Sequence, residues 1–431
     1  MEQTAIPTKP SGIPWLGDIP AHWEVKRLRY GVNLSTDRVE VDEEVVMPYV
    51  GMENIESWTG KLLPLDEEFV PTGTSNRFKK SQVLFGKLRP YLAKATVAEH
   101  TGVCSTELMV FEPVLFESRF LLYTLLSDGF IKLVDSSTQG SKMPRADWEF
   151  VGNMRVTLPP LPEQRAIAAF LDERTARIDG LIARKQRLVA LLREKRQALI
   201  TRAVTRGLDA NVKLKESGVP WLGLVPEHWG VKRVKQVTHR ITKGTTPTTE
   251  GGGFADEGEV TFIKVESIDD RLKVMKHMCA RIDHETHMSL SRSHLQEGDV
   301  LLSIAGAIGR VAIVRKEILP ANANQAVGII RPDPSAILSE WLALALHGHG
   351  AQEQFALDNV QSAQANLSLT NLGNTWITLP TISEQTKTLA QVRTITGRID
   401  ALIAKVEAAV LRLVEYRVAL ISAAVTGKVR V

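Results

Sequence analysis

A two-fold internal repeat constrains this 431-residue chain more than any other feature. Ser11–Arg27, reading SGIPWLGDIPAHWEVKR, returns as Ser217–Arg233, reading SGVPWLGLVPEHWGVKR, with twelve of the seventeen positions identical. A second shared segment opens at Leu158–Pro159 and again at Leu379–Pro380. It carries Glu163–Gln164 onto Glu384–Gln385, Arg177–Ile178–Asp179 onto Arg398–Ile399–Asp400, and Ala203–Val204–Thr205 onto Ala424–Val425–Thr426. The order is shared, variable, shared, twice over, with variable parts near Tyr30–Thr157 and Gln236–Thr378. The period of about 210–220 residues lies far above the roughly 20–50 of solenoid repeats. One large unit has been duplicated, and no array is present.

The second shared segments read as long helices. Pro162 suits a first turn, where its missing N–H would be unpaired anyway. Ser383 is the natural N-cap of the second copy, and Glu163 and Glu384 favour a helix N-terminus. Gly207 and Gly427 read as the stops. Each helix then runs about 40 residues, or about 60 Å. Leu171, Ile178, Leu192 and Leu199 fall on a sevenfold spacing, with Ile182, Val189 and Ala203 offset from it. The second copy supplies Val392, Ile399, Val406, Leu413 and Leu420, with Ile403, Val410 and Ala424. Sevenfold spacing held this long is a coiled-coil pattern, and two copies in one chain predict an intramolecular helical pair. Lys185 interrupts the seam where the second copy has Val406, and Arg196 and Arg417 fall on it in both copies. They are expected to fix register or to snorkel.

The variable parts read as mixed α and β. Val45–Gly51, Ser81–Phe85 and Glu107–Phe111 resemble strands and Phe120–Leu126 a helix. Val260–Val265, Asp299–Ile304, Ala326–Ile330 and Glu340–Leu346 repeat that order. The expected fold class is α+β, with two globular mixed domains joined by the helical pair in a pseudo-two-fold repeat. The expected segments are 1–157, 158–210, 211–378 and 379–431. Trp15, Trp23, Trp221 and Trp229 repeat position for position, so they read as packing anchors between each variable domain and the helices.

Catalytic signatures are missing. There is no phosphate-loop motif, and Gly251–Phe254 lacks the strand–loop–helix setting of a phosphate cradle. His277, Cys279, His284, His287 and His294 are zinc-ligand types, but their spacing matches no common structural site. They read as a polar, exposed recognition segment, with no metal expected. No stretch is long and apolar enough to span a membrane, and Met1–Pro10 lacks the pattern of a secretory signal. Cys104 and Cys279 are too few for a disulfide framework and fit a reducing, cytoplasmic setting.

Net charge is +4, yet the variable parts are acidic: Gly31–Phe150 holds 12 Lys+Arg against 18 Asp+Glu, and Val237–Gly373 holds 12 against 16. Any nucleic-acid face must therefore be local. Arg77–Lys94 has six basic residues, no acid, and interleaved aromatics. Arg77, Lys79, Lys80 and Lys94 are expected on phosphates, and Lys87, Arg89 and Tyr91 nearer base edges. The loop with Gln139, Ser141, Lys142 and Arg145 is expected beside them. In the second domain, Arg240, Lys243, Thr245 and Thr246 form one candidate segment. Asn322, Asn324, Gln325, Gln361, Gln364 and Asn366 add side chains of the type that reads adenine.

Together these features resemble the DNA-specificity subunit of type I restriction–modification systems. The resemblance rests on Pro14–Gly17 with Pro20–Leu28 and their second copy, Lys87–Leu92, Gly140–Arg145, and Leu158–Arg165 leading into a helix. Thr381–Thr386 departs from the usual form at the second helix start. The resemblance implies two target-recognition domains held apart by an antiparallel helical pair, each reading one half of a bipartite, asymmetric site in double-stranded DNA. It implies a non-catalytic chain on which two methyltransferase subunits dock, with S-adenosylmethionine on them and no cofactor here. Two motor-nuclease subunits using ATP and Mg²⁺ join where the complex also cuts. The rival reading is a coiled-coil adaptor without DNA reading, which the acidic domains would suit.

Overall fold

The computed structural model describes residues 7–41, 47–65, 73–138, 143–247, 254, 258–360 and 366–431. The chain divides into two units: Met1–Arg187 with Val406–Val431, and Leu188–Lys405. Both crossings between units fall inside the long helices, Leu161–Arg206 (46 residues) and Ile382–Val425 (44 residues). These helices are slightly longer than their sequence pattern suggests. Gly207 and Gly427 follow their ends with φ of +70° and +73°, the left-handed stop that glycine adopts without a Cβ penalty. Ser383 is not the N-cap. The second helix already includes it, and Thr381 accepts the Glu384 N–H through its hydroxyl.

In unit 1, Leu171 and Ile178 of the first long helix share a core with Leu420, Ile421 and Ala424 of the second, with Ile182 and Leu413 packed against it. In unit 2, Ile200, Ala203 and Val204 share a core with Leu389 and Val392. The start of one helix thus lies with the end of the other, so the pair runs antiparallel. Val189, Ile399, Ile403 and Val406 are also buried, and Leu192, Leu199 and Val410 half-buried. The seam arginines are ion-paired. Arg417 Nε donates to Asp179 Oδ1 at 2.9 Å in unit 1, and Arg196 Nε lies 3.0 Å from Asp400 Oδ1 in unit 2. The repeated Arg-Ile-Asp triplets supply the acid of each pair.

Each variable part builds an antiparallel four-stranded sheet beneath a short helix. In unit 1 the order is Val32–Leu34, Leu108–Pro113, Val83–Gly86, Ala95–Val97. In unit 2 it is Thr238–Lys243, Val327–Pro332, Val300–Ser303, Val311–Ile313. The central strands are buried on both faces, which is why they read as continuous apolar runs. Val45 and Val46 of the first expected strand lie outside the described residues, and Tyr49–Val50 is a strand.

The shared segments tie each sheet to the helices through matching bonds. Trp23 Nε1 donates to Glu163 at 2.8 Å and Trp229 Nε1 to Glu384 at 2.8 Å. His22 and His228 meet the same two carboxylates. Gln164 and Gln385 are buried, and each donates to two backbone carbonyls and accepts one N–H, three of the four bonds an amide can make, so neither its nitrogen nor its oxygen is left unpaired in a dry site. Thr157 donates to the Val425 carbonyl at 2.6 Å, and Thr378 to that of Val204. Both cysteines are free, and burial pushes the Cys104 thiol up to about 12. Among the described residues no helix is long and apolar enough to cross a membrane.

Candidate nucleic-acid interface

The basic run of unit 1 is divided by a strand. Lys79 and Lys80 are exposed before Val83–Gly86, and Lys87 and Arg89 follow it, about 10 Å further along at about 3.3 Å per residue. Backbone bonds then draw separate segments onto Lys87–Arg89. Lys87 N–H donates to the Glu107 carbonyl (3.0 Å), Ala146 N–H to that of Lys87 (2.8 Å), and Arg89 N–H to that of Pro144 (2.8 Å). Lys87, Arg89, Tyr91 and Arg145 therefore converge at one end of the sheet, with Arg89 and Tyr91 exposed. Arg89 has φ +50°. A left-handed backbone at a non-glycine residue costs roughly 1–2 kcal/mol and persists only where the surroundings impose it.

Two members of the run differ from expectation. Lys94 is half-buried and its ammonium donates to the Met52 carbonyl at 2.6 Å, so it braces a loop and is not offered to a phosphate. Arg77 lies half-buried in the strand Gly73–Phe78 of a different sheet. Glu107, which sequence reasoning passed over, holds Arg145 in a two-pronged pair, Nε to Oε2 and Nη2 to Oε1, both at 3.0 Å. Such a fork fixes the guanidinium plane and raises the Arg145 pKa. Gln139, Ser141 and Lys142 lie outside the described residues.

Unit 2 builds the same cluster from different side chains. Ile304 N–H donates to the Ala326 carbonyl (2.8 Å) and Leu367 N–H to that of Ile304 (2.8 Å), as Lys87 and Ala146 do in unit 1. The bridge between Ala305 and Asn366 matches that between Leu88 and Arg145. Lys87, Arg89, Glu107 and Arg145 thus correspond to Ile304, Gly306, Ala326 and Asn366. Gly306 has φ +71°, so the left-handed turn recurs with the residue that takes it freely. Lys243, Thr245 and Thr246 are brought beside Asn324 and Gln325. The Gly244 backbone passes so close that a Cβ would lie 2.1 Å from the Ala323 carbonyl oxygen. The Thr246 hydroxyl bonds the Gln325 side chain. Arg240 is exposed and donates to the Arg292 carbonyl.

Asn322 differs from expectation. It is fully buried, and its amide donates to Ser293 Oγ (2.9 Å) and the Leu290 carbonyl (3.2 Å) while its oxygen meets His287 Nδ1. With every polar atom engaged, it has nothing left for a base edge. The histidine segment is likewise not simply exposed: His287 and His294 are half-buried and stacked at 4.0 Å, and His294 Nε2 contacts the His287 carbonyl. Among the described residues no group of three or more His, Cys, Asp or Glu is placed to hold a metal. Gln361 and Gln364 lie outside the described residues.

The type I restriction modification DNA specificity domain matches twice, over residues 25–189 and 226–411. The chain belongs to that family. Its relatives include the type I restriction enzyme EcoBI specificity subunit of Escherichia coli, 26% identical over 317 residues, with 73% of this chain and 66% of the relative aligned. The MjaVIII specificity subunit of Methanocaldococcus jannaschii is 23% identical over 306 residues, covering 69% and 68%. The chain thus spans a little under two thirds of the E. coli relative. Among solved structures, a chain from a type I restriction–modification assembly has a TM-score of 0.74 at 21% identity, covering 95% of this chain and 99% of that one. The HsdS subunit from Thermoanaerobacter tengcongensis has a TM-score of 0.51 at 21% identity, covering 95% and 98%. The fold is shared with both.

Family membership gives the loop cluster a testable meaning. Arg89→Gly removes the side chain at a place where the other unit already carries Gly306, so the backbone tolerates it. It is expected to relax preference at one base position by about 1–3 kcal/mol. Lys80→Ala is expected to weaken all sequences alike and to lower the salt slope of binding by about 1. Binding titrations on single-base variants of the site separate the two. Uniform loss with Arg89→Gly would argue against base reading by Arg89.

Proposed function

We propose that this chain is the DNA-specificity subunit of a type I restriction–modification system, reading a bipartite, asymmetric site with one half-site per domain. The reading is carried by one observation: equivalent backbone scaffolds present Lys87, Arg89 and Arg145 in one unit and Ile304, Gly306 and Asn366 in the other. Base edges are told apart by the donors and acceptors offered to them. One scaffold bearing two sets of groups suits two different half-sites.

On this reading the chain is not itself catalytic. It directs adenine methylation by two methyltransferase subunits that hold S-adenosylmethionine, and cutting by two motor-nuclease subunits that use ATP and Mg²⁺, all in the cytoplasm. Leu181, Leu188 and Leu191 on the first long helix and Leu402, Leu411, Val414 and Tyr416 on the second are exposed. Apolar surface of this kind favours partner docking. An adaptor without DNA reading leaves the two specificity-domain matches without a role.

The test is single-molecule sequencing of methylated adenines in DNA from cells carrying this chain with its neighbouring methyltransferase, against cells lacking the chain. The expected result is a new motif of two unlike half-sites with a fixed gap. An active methyltransferase whose motif does not depend on this chain would favour the adaptor.

A further inference from the structure

Two equivalent places in the duplicated fold are filled differently. Gln164 accepts the Glu117 N–H (2.7 Å) and Gln385 the Leu338 N–H (2.9 Å). That register makes Leu344 the counterpart of Tyr123, Glu340 of Arg119, and Arg393 of Asp172. In unit 1, Tyr123 is 2% exposed and its hydroxyl donates to Asp172 at 2.6 Å. Trp58 packs against the core that contains Tyr123, Leu171 and Ile421. Unit 2 lacks both aromatics. Leucine stands in place of the tyrosine, and the loop that carries Trp58 is a residue shorter there. The Glu56 N–H reaches the Lys61 carbonyl, whereas the Asp269 N–H reaches that of Lys273. The shorter loop has no aromatic residue. A cavity of about 570 Å³ remains, walled by Ile200, Leu272, Ile313, Leu344, Leu389 and Val392.

The charge at this place differs as well. The Arg119–Asp172 pair of unit 1 is reversed in unit 2, where Arg315 and Arg393 both hold Glu340 (2.6 and 2.5 Å). Burial pushes the Glu340 carboxyl up, but the two arginines hold it below its ordinary value, so it remains ionised and satisfied. Arg271 and Lys273 also line the cavity, are exposed, and have no ion pair among the described residues. Lys276 stands beside them. Glu317 lines the mouth too, so Arg271, Lys273 and Lys276 face one carboxylate there, and the site joins an apolar wall to a mouth with an excess of cations, at a size within the roughly 300–1,000 Å³ of small-molecule pockets.

We propose that this cavity of unit 2 binds a small organic anion, with its apolar body against Leu344, Leu389 and Val392 and its anionic group at Arg271 and Lys273. At the matching place in unit 1, Tyr123 lies in the core and Trp58 packs against it.

The probe is naphthalene-1-sulfonate, titrated calorimetrically into the full chain, with 1-naphthylmethanol and inorganic sulfate as controls. One saturable site is expected, with the neutral alcohol and bare sulfate each about tenfold weaker or more, the scale of one lost charge-assisted contact. Leu344→Trp, which refills the space, should abolish that site. Arg271→Glu with Lys273→Glu changes only exposed side chains and should weaken it at least about tenfold. If Leu344→Trp fails to fold, the rim variant decides alone. Unchanged affinity in the rim variant, or equal binding of the alcohol and the sulfonate, overturns the proposal.

Discussion

Replacing Trp229 with alanine is expected to lower the stability of unit 2 by about 3–5 kcal/mol, the usual cost of a buried tryptophan. The indole is 1% exposed and meets Trp341 edge-on at 5.4 Å. Its N–H donates to Glu384 at 2.8 Å, and the backbone of Gly207, the stop of the first long helix, lies against its ring. The substitution therefore removes the packing between the shared segment and both long helices, and a hydrogen bond with it. Trp229→Phe keeps most of the volume but loses the N–H and part of the indole with it, so it should cost about 1–3 kcal/mol. Denaturant titration of the full chain reads both. A loss under about 1 kcal/mol for the alanine would mean that the tryptophan is not the anchor.

Arg417→Met is expected to cost a comparable amount, about 3–5 kcal/mol, because it breaks a buried ion pair from one side. Arg417 is 4% exposed. Its three nitrogens donate to Asp179 Oδ1 (2.9 Å), the Trp58 carbonyl (2.7 Å) and the Thr59 carbonyl (3.1 Å). Methionine fills the space of the stem but leaves two carbonyls unpaired and Asp179 with Lys61 alone, at 2.7 Å. Adding Asp179→Leu should return part of the loss, since the stranded carboxylate is then gone. A double-mutant cycle measures that return, and strict additivity would mean the two residues are not coupled.

What the sequence made legible is what repeats or what is periodic. Leu171, Ile178, Val392 and Ile399 announce the seam because a sevenfold spacing survives in any context. Gly207 and Gly427 announce the stops because few residues other than glycine take a left-handed turn freely. Thr381 was hidden behind Ser383 because two good capping residues stood two positions apart. The misread residues all depend on partners distant in sequence. Lys94 sits in a basic run, but its fate is set by the Met52 carbonyl. Asn322 has the chemistry to read adenine, but Leu290, Ser293 and His287 take all of it. Glu107 looks like one acid among many until Arg145 is folded against it. Arg119–Asp172 and Glu340–Arg393 are pairs of opposite polarity at one place, and no local pattern reveals them before the register is known.

The division of the chain has a consequence for the order of its synthesis. Leu188–Lys405 is continuous, whereas unit 1 is interrupted by it and closes only with Val406–Val431. Until those last residues emerge, Leu171 and Ile178 lack Leu420 and Ile421 beside them, Thr157 lacks the Val425 carbonyl, and Asp128 lacks the Ser422 hydroxyl. The half made first on the ribosome is thus completed last, and the later half is free to fold before it. Long-range closure of this kind is slow and leaves apolar surface uncovered meanwhile. The last twenty-six residues act as the clasp of the domain at the other end of the sequence.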